Sequence, residues 1–116
     1  MKNLIVACLL FFVCTGIKAQ IAGSTTPHSV TPATATVIDA TITVGGTVNL
    51  TNATVQISNN YYAGDLLSYN TVLATSYGIT GSYSVSSGVS GILTFTGTTT
   101  PANWQALFRT VTYQNT

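Results

Sequence analysis

From Val37 onward, apolar side chains fall at every second position over long stretches of the chain. Ile42 and Val44 alternate with Thr41 and Thr43. After Gly45-Gly46, Val48 and Leu50 alternate with Thr47, Asn49 and Thr51, and Ala53, Val55 and Ile57 alternate with Thr54 and Gln56. Successive side chains of a strand point to opposite faces, so a period of two gives one apolar face and one polar face. An amphipathic helix would need apolar residues three and four apart. The pattern therefore restricts the chain to half-buried antiparallel strands. Thr, Val and Ile also suit a pleated backbone because their χ1 angles are already restricted.

The remainder punctuates those strands. Asn59-Asn60 and Ala63-Gly64-Asp65 are turn chemistry. Leu66–Tyr69, Tyr77–Val85 and Ile92–Thr96 are predicted as further strands, and Ser86-Ser87-Gly88 ends the second of them. Strands at intervals of roughly 8–12 residues between Gly and Asn turns indicate a β-sandwich. One segment departs from the period. Thr100 can N-cap a helix, Pro101 fits its first position, and Trp104 shares a face with Leu107 and Phe108. A short helical crossover is expected there, pressing Trp104 and Leu107 onto the open end of the sandwich. Arg109–Tyr113 then returns to strand.

Residues 1–19 have the form of a secretory signal peptide. Lys2 supplies a positive n-region, Leu4–Val13 is an apolar run, and Ile17-Lys18-Ala19 offers a cut before Gln20. The run is shorter than the ~20 residues a spanning helix needs, and no later stretch replaces it, so no membrane span is expected in the mature chain. Ile5-Val6-Ala7-Cys8 also fits a lipoprotein box, but that reading shortens the apolar region to Leu4–Ala7. Both cysteines, Cys8 and Cys14, lie in the leader, so the mature chain has no thiol for a disulfide or a metal. Residues 20–36, rich in Thr, Ser, Ala and Pro, are expected to be a linker carrying His28, and residues 37–116 a single module.

Beyond the leader the charged side chains are Asp39, Asp65 and Arg109. One arginine cannot neutralise a run of phosphates, which argues against nucleic-acid binding. A glycosidase needs two carboxylates about 5–9 Å apart, and nothing in the pattern brings Asp39 to Asp65. The serines have one histidine to draw on, His28 in the linker, and no nucleophile elbow stands between a strand and a helix. A non-catalytic chain is the expectation.

Several runs together resemble a repeat of large bacterial surface proteins. They are Val55–Tyr61, then Gly64-Asp65-Leu66-Leu67-Ser68-Tyr69, then Gly78-Ile79-Thr80-Gly81-Ser82-Tyr83, then Gly91–Thr98, and last Trp104-Gln105-Ala106-Leu107-Phe108-Arg109-Thr110-Val111-Thr112-Tyr113. In that order they look like the cadherin-like and immunoglobulin-like modules of exported adhesins, over roughly residues 37–116. The resemblance implies an all-β antiparallel Greek-key β-sandwich, incomplete at the C-terminus because a further strand normally follows the Tyr-x-Asn closure. It implies a structural or adhesive role at the cell surface or outside the cell. Partners would be neighbouring modules of a longer chain or a surface or glycan partner. The acidic clusters of calcium-binding cadherins are not present.

Two candidate sites lie on this frame. Asp65, with the Asn59-Asn60 turn and Asn70 near it in sequence, is a candidate for a weak calcium site; the competing reading is a carboxylate that shapes its turn by accepting from backbone amides. No other cofactor is expected. Tyr61, Tyr62 and Trp104 are candidates for stacking on a sugar in a carbohydrate-binding sandwich, against the commoner use of such rings at a sandwich rim. Arg109 is expected to pair with a carboxylate or lie along the sheet margin.

Overall fold

The computed structural model describes residues 8–11, 20–23, 33–57, 61–88 and 90–115. The Ile17-Lys18-Ala19 cleavage signal, His28 and the Asn59-Asn60 turn lie outside them. The described chain is antiparallel and mostly β, in a sandwich-like arrangement with two helices and no closed barrel. Strands run β1 (Cys8–Phe11), β2 (Gln20–Ala22), β3 (Thr36–Val37), β4 (Thr43–Gly45), β5 (Leu50–Ile57) and β6 (Asp65–Ser68). Helix α1 (Thr71–Ser76) precedes β7 (Thr80–Ser86) and β8 (Ser90–Thr99), and helix α2 (Pro101–Phe108) precedes β9 (Thr112–Asn115). One sheet has the order β1-β5-β8-β7; the others are β3-β9-β6 and the pair β2-β4.

The alternation read from the sequence sets the layers. Leu50, Ala53, Val55 and Ile57 of β5 are buried with Leu93 and Phe95 of β8, Leu67 of β6 and Tyr113 of β9. The other pleat of the first sheet carries hydroxyls in register. Thr54, Thr94 and Ser82 align across β5, β8 and β7, Thr96 aligns with Thr80, and the Thr51 and Thr98 Oγ atoms sit 2.9 Å apart. Such cross-strand pairs are the unit of sheet stabilisation, at roughly 0.2–1 kcal/mol each.

A β-bulge interrupts the central pairing. Thr51 faces Thr98, but Ala53 faces Phe95, so β8 carries one more residue than β5 over that step. Asn52 takes φ 59° there, and its Oδ1 accepts from Gly97 N at 3.2 Å. Gly97 sits at φ +138°, and a Cβ on it would lie 2.5 Å from the Gly78 carbonyl oxygen, so the position suits glycine alone. The Asn52 side chain thus holds the bulge.

Helix α2 forms as the sequence indicates. Thr100 Oγ1 accepts from Asn103 N at 3.2 Å, Pro101 opens the first turn, and Trp104, Leu107 and Phe108 are buried. Helix α1 is a departure, because the sequence reading passes over Thr71–Ser76 without an element. Asn70 Oδ1 caps Leu73 N at 2.9 Å, and Gly78 at φ +73° lets the chain turn out after the last residues. The following strand begins at Thr80 rather than Tyr77.

The stretch expected to be a linker also differs. Its two ends pair: β2 runs antiparallel to β4, and Thr36 and Val37 pair with Tyr113 and Thr112. An extended Thr- and Ala-rich chain has free backbone donors and acceptors, and a sheet edge can satisfy them. Within the segment read as a leader, β1 pairs with β5 from Cys8↔Ile57 to Phe11↔Thr54.

Candidate functional site

The densest polar cluster gathers around Asp65, at the start of β6. Gly64 takes φ +94°, which lets the turn close, and Asp65 N then donates to the Tyr62 carbonyl at 3.0 Å. The carboxylate turns back over the same loop. Its Oδ2 accepts from Tyr62 N at 2.8 Å, and its Oδ1 accepts from Tyr113 Oη at 2.6 Å and Asn115 Nδ2 at 2.7 Å. The Asp65 carbonyl accepts from Tyr83 Oη at 2.7 Å. Asp65 is only 3% exposed. Asp65 and Asn115 are register partners in the β6-β9 pairing, so sheet geometry brings the amide to the carboxylate.

The cluster therefore ties the Gly-Asp turn to the Tyr-x-Asn closure and, through Tyr83, to the facing sheet. The carboxylate offers about four lone-pair positions, and three accept from protein donors. That geometry matches the turn-shaping reading of Asp65. Calcium would need 6–8 oxygens, and among the described residues no group of three or more His, Cys, Asp or Glu stands together.

Two tyrosines in this region lie across glycines. Tyr69 Oη accepts from Gly81 N at 3.0 Å and donates to Gly81 O at 2.9 Å, and a Cβ on Gly81 would meet the Tyr69 ring at 2.6 Å. A Cβ on Gly91 would meet Tyr83 Oη at 2.1 Å. The Gly-Ile-Thr-Gly strand thus has a packing reason: Gly78 turns the chain, Ile79 is buried, and Gly81 makes room for a ring.

The environment acts on the tyrosine hydroxyls. Burial, then the neighbouring Tyr61 and the Asp65 charge, pushes Tyr83 up to about 12. Tyr113 is pushed up further by burial, by its hydrogen bond to Asp65 and by the charges of Asp65 and Tyr83. Unfolded tyrosines ionise near ~10, so between ~10 and about 12 the unfolded chain has lost protons that the folded chain retains. The stabilisation is complete below ~10 and is lost as pH rises through about 12. Denaturation midpoints measured against pH at fixed ionic strength are expected to fall across that window, and Tyr83→Phe should flatten the fall. A flat wild-type profile would show that these hydroxyls are not linked to folding.

The sugar candidates separate. Trp104 is 0% exposed, with its Nε1 donating to the Leu50 carbonyl at 2.9 Å and its ring 5.5 Å from Phe108 and 6.2 Å from Phe95. It is a core residue and presents no face to a ligand. Tyr61 is partly buried against the core, while Tyr62 is 49% exposed. Arg109 donates from Nε to the Ile42 carbonyl at 2.9 Å, fastening the end of α2 to the segment before β4. Asp39 Oδ1 accepts from Thr41 N at 2.8 Å and Thr41 Oγ1 at 2.7 Å, a local Asx turn. Sequence reasoning missed Tyr83, Tyr113 and Asn115 as partners of Asp65; the Tyr-x-Asn spacing was its one available signal.

No family model, no curated protein and no solved structure matches this chain.

Proposed function

We propose that the chain is a non-catalytic structural or adhesion module of an exported bacterial surface protein, acting at the cell surface or outside the cell. The observation that carries this reading is where its few charges go. Asp65 organises a turn and the closing strand, Arg109 caps a carbonyl, and Asp39 shapes a local turn. Each is used in building the sandwich. Chemistry usually needs ionisable groups gathered at one exposed place; here Asp39 and Arg109 fasten the neighbouring residues Thr41 and Ile42, and Asp65 is buried at the turn and closing strand. The outer pleat, neutral and rich in hydroxyls, suits contact with water or with neighbouring modules.

The rival reading is a carbohydrate-binding sandwich. Its remaining ring with a large exposed area is Tyr62. A glycan array probed with the full chain separates the two. A pure spacer module expects no saturable binding, and an adhesive one expects none that depends on Tyr62; saturable binding abolished by Tyr62→Ala would replace both with the carbohydrate reading. Export is tested by the N-terminal residue of the secreted protein, expected to be Gln20.

A further inference from the structure

We infer that the outer edge of β5 is a strand-acceptor site. Residues Cys8–Phe11 fill it while the leader is attached, and β5 of a second copy of the chain fills it once the leader is gone. The inference rests on the export reading for its trigger, cleavage before Gln20.

The edge is built to accept a strand. Among the described residues, β5 has β8 on one side and β1 on the other, in the sheet order β1-β5-β8-β7. The β1 pairing is antiparallel and, among the described residues, covers Thr54–Ile57. Loss of β1 leaves the regular part of β5 beyond the bulge, Ala53–Ile57, with a row of backbone donors and acceptors that no other described strand pairs. Edges of this kind are normally blunted by proline, by charge, by a bulge or by a covering element, and the bulge at Asn52 interrupts this one ahead of Ala53. The sequence Leu-Thr-Asn-Ala-Thr-Val-Gln-Ile has neither proline nor a charged side chain.

The slot also defines its occupant. An arriving strand must run antiparallel and alternate, apolar toward the core and polar outward. β5 meets this itself, with Ala53, Val55 and Ile57 buried and Thr54 and Gln56 on the other pleat. Two antiparallel copies of one strand are related by a two-fold axis, so the contact is self-complementary and closes at a dimer. Low charge on both copies leaves little repulsion to oppose it. Every residue of the buried apolar cluster among the described residues, from Ile42 to Tyr113, is retained in the trimmed chain.

The test compares the full chain, leader retained and cysteines reduced, with the chain beginning at Gln20. Sedimentation is expected to give a monomer for the first and a doubled mass for the second, with the doubled mass abolished by Thr54→Lys combined with Gln56→Lys. Hydrogen exchange on the unsubstituted trimmed chain needs no variant to fold. Among residues 54–57, the amides that point away from β8 should be protected at high protein concentration and exposed on dilution, while those bonded to β8 stay protected at both. A trimmed chain that stays monomeric, a full chain that is equally dimeric, or outward-pointing amides of 54–57 that ignore concentration would overturn the inference. An exported protein that still begins before Gln20 would overturn the export reading and the trigger, while the solution result on the edge would stand.

Discussion

Asp65→Ala is expected to lower the stability of the fold by about 3–5 kcal/mol, because it leaves three neutral donors without their acceptor at ~1–3 kcal/mol each. The substitution removes the acceptor for Tyr62 N, Tyr113 Oη and Asn115 Nδ2 at once. Hydrogen bonds to a charged acceptor contribute ~1.5–3 kcal/mol each, but the burial cost of the carboxylate disappears with it, so the net loss is smaller than their sum. What remains is the cost of stranded donors, above all the hydroxyl of Tyr113, which is 1% exposed. Asp65→Asn should recover part of the loss. Its amide oxygen can serve Tyr113 and Asn115, while its NH2 group then confronts the Tyr62 N–H. Urea midpoints for the three proteins should rank wild type, Asn, Ala. An Ala variant as stable as wild type would show that the cluster does not hold the closing strand.

Trp104→Ala should cost about as much, 3–5 kcal/mol, for a different reason. Trp104 heads the aromatic group of Phe95, Phe108 and Tyr69, in which Tyr69 meets Phe95 edge-on at 5.0 Å. Truncation leaves a cavity that a rigid sheet and a capped helix cannot easily collapse into. It also strands the Leu50 carbonyl, adding about 1 kcal/mol. Trp104→Phe keeps most of the volume but not the N–H, so it should lose much less. A sandwich has ~5–15 kcal/mol to lose in total, and the alanine variant is expected to lie near its unfolding threshold at room temperature. Thermal melts followed by near-ultraviolet circular dichroism measure both. Equal melting temperatures for Trp104→Ala and wild type would contradict the assignment of Trp104 to the core.

The strands were legible because alternation is a local signal: Ala53, Val55 and Ile57 announce their pleat within five residues. Helix α2 was legible for a similar reason, since Thr100, Pro101 and the spacing of Trp104 to Phe108 all fall inside one turn or two. Helix α1 was hidden by its composition. Thr71, Val72 and Thr75 are β-branched and favour strands, and only Ala74 is buried, so no apolar stripe shows. Thr75 and Ser76 hydroxyls back-bond to the Thr71 and Leu73 carbonyls, contacts invisible before the helix exists. The Asp65 cluster was half legible. Its turn is local, but Tyr113 and Asn115 lie 48 and 50 residues away. Their meeting depends on the β6-β9 register, which no short pattern encodes. The strand at Cys8–Phe11 was masked by its own hydrophobicity, because an apolar run near the N-terminus reads first as a leader.

The hydroxyl rows on the outer pleat bear on where such a sheet can work. Thr54, Thr94 and Ser82, with Thr96 beside Thr80, line that surface in register with uncharged side chains, and Thr51 and Thr98 pair their hydroxyls. Dissolved ions screen attraction between exposed charges over ~8–10 Å and leave neutral hydroxyl pairs almost untouched. The one densely bonded carboxylate, Asp65, sits where mobile ions do not reach it. The sandwich should therefore keep its fold alike in dilute water and in brine, which suits the surface role proposed for it.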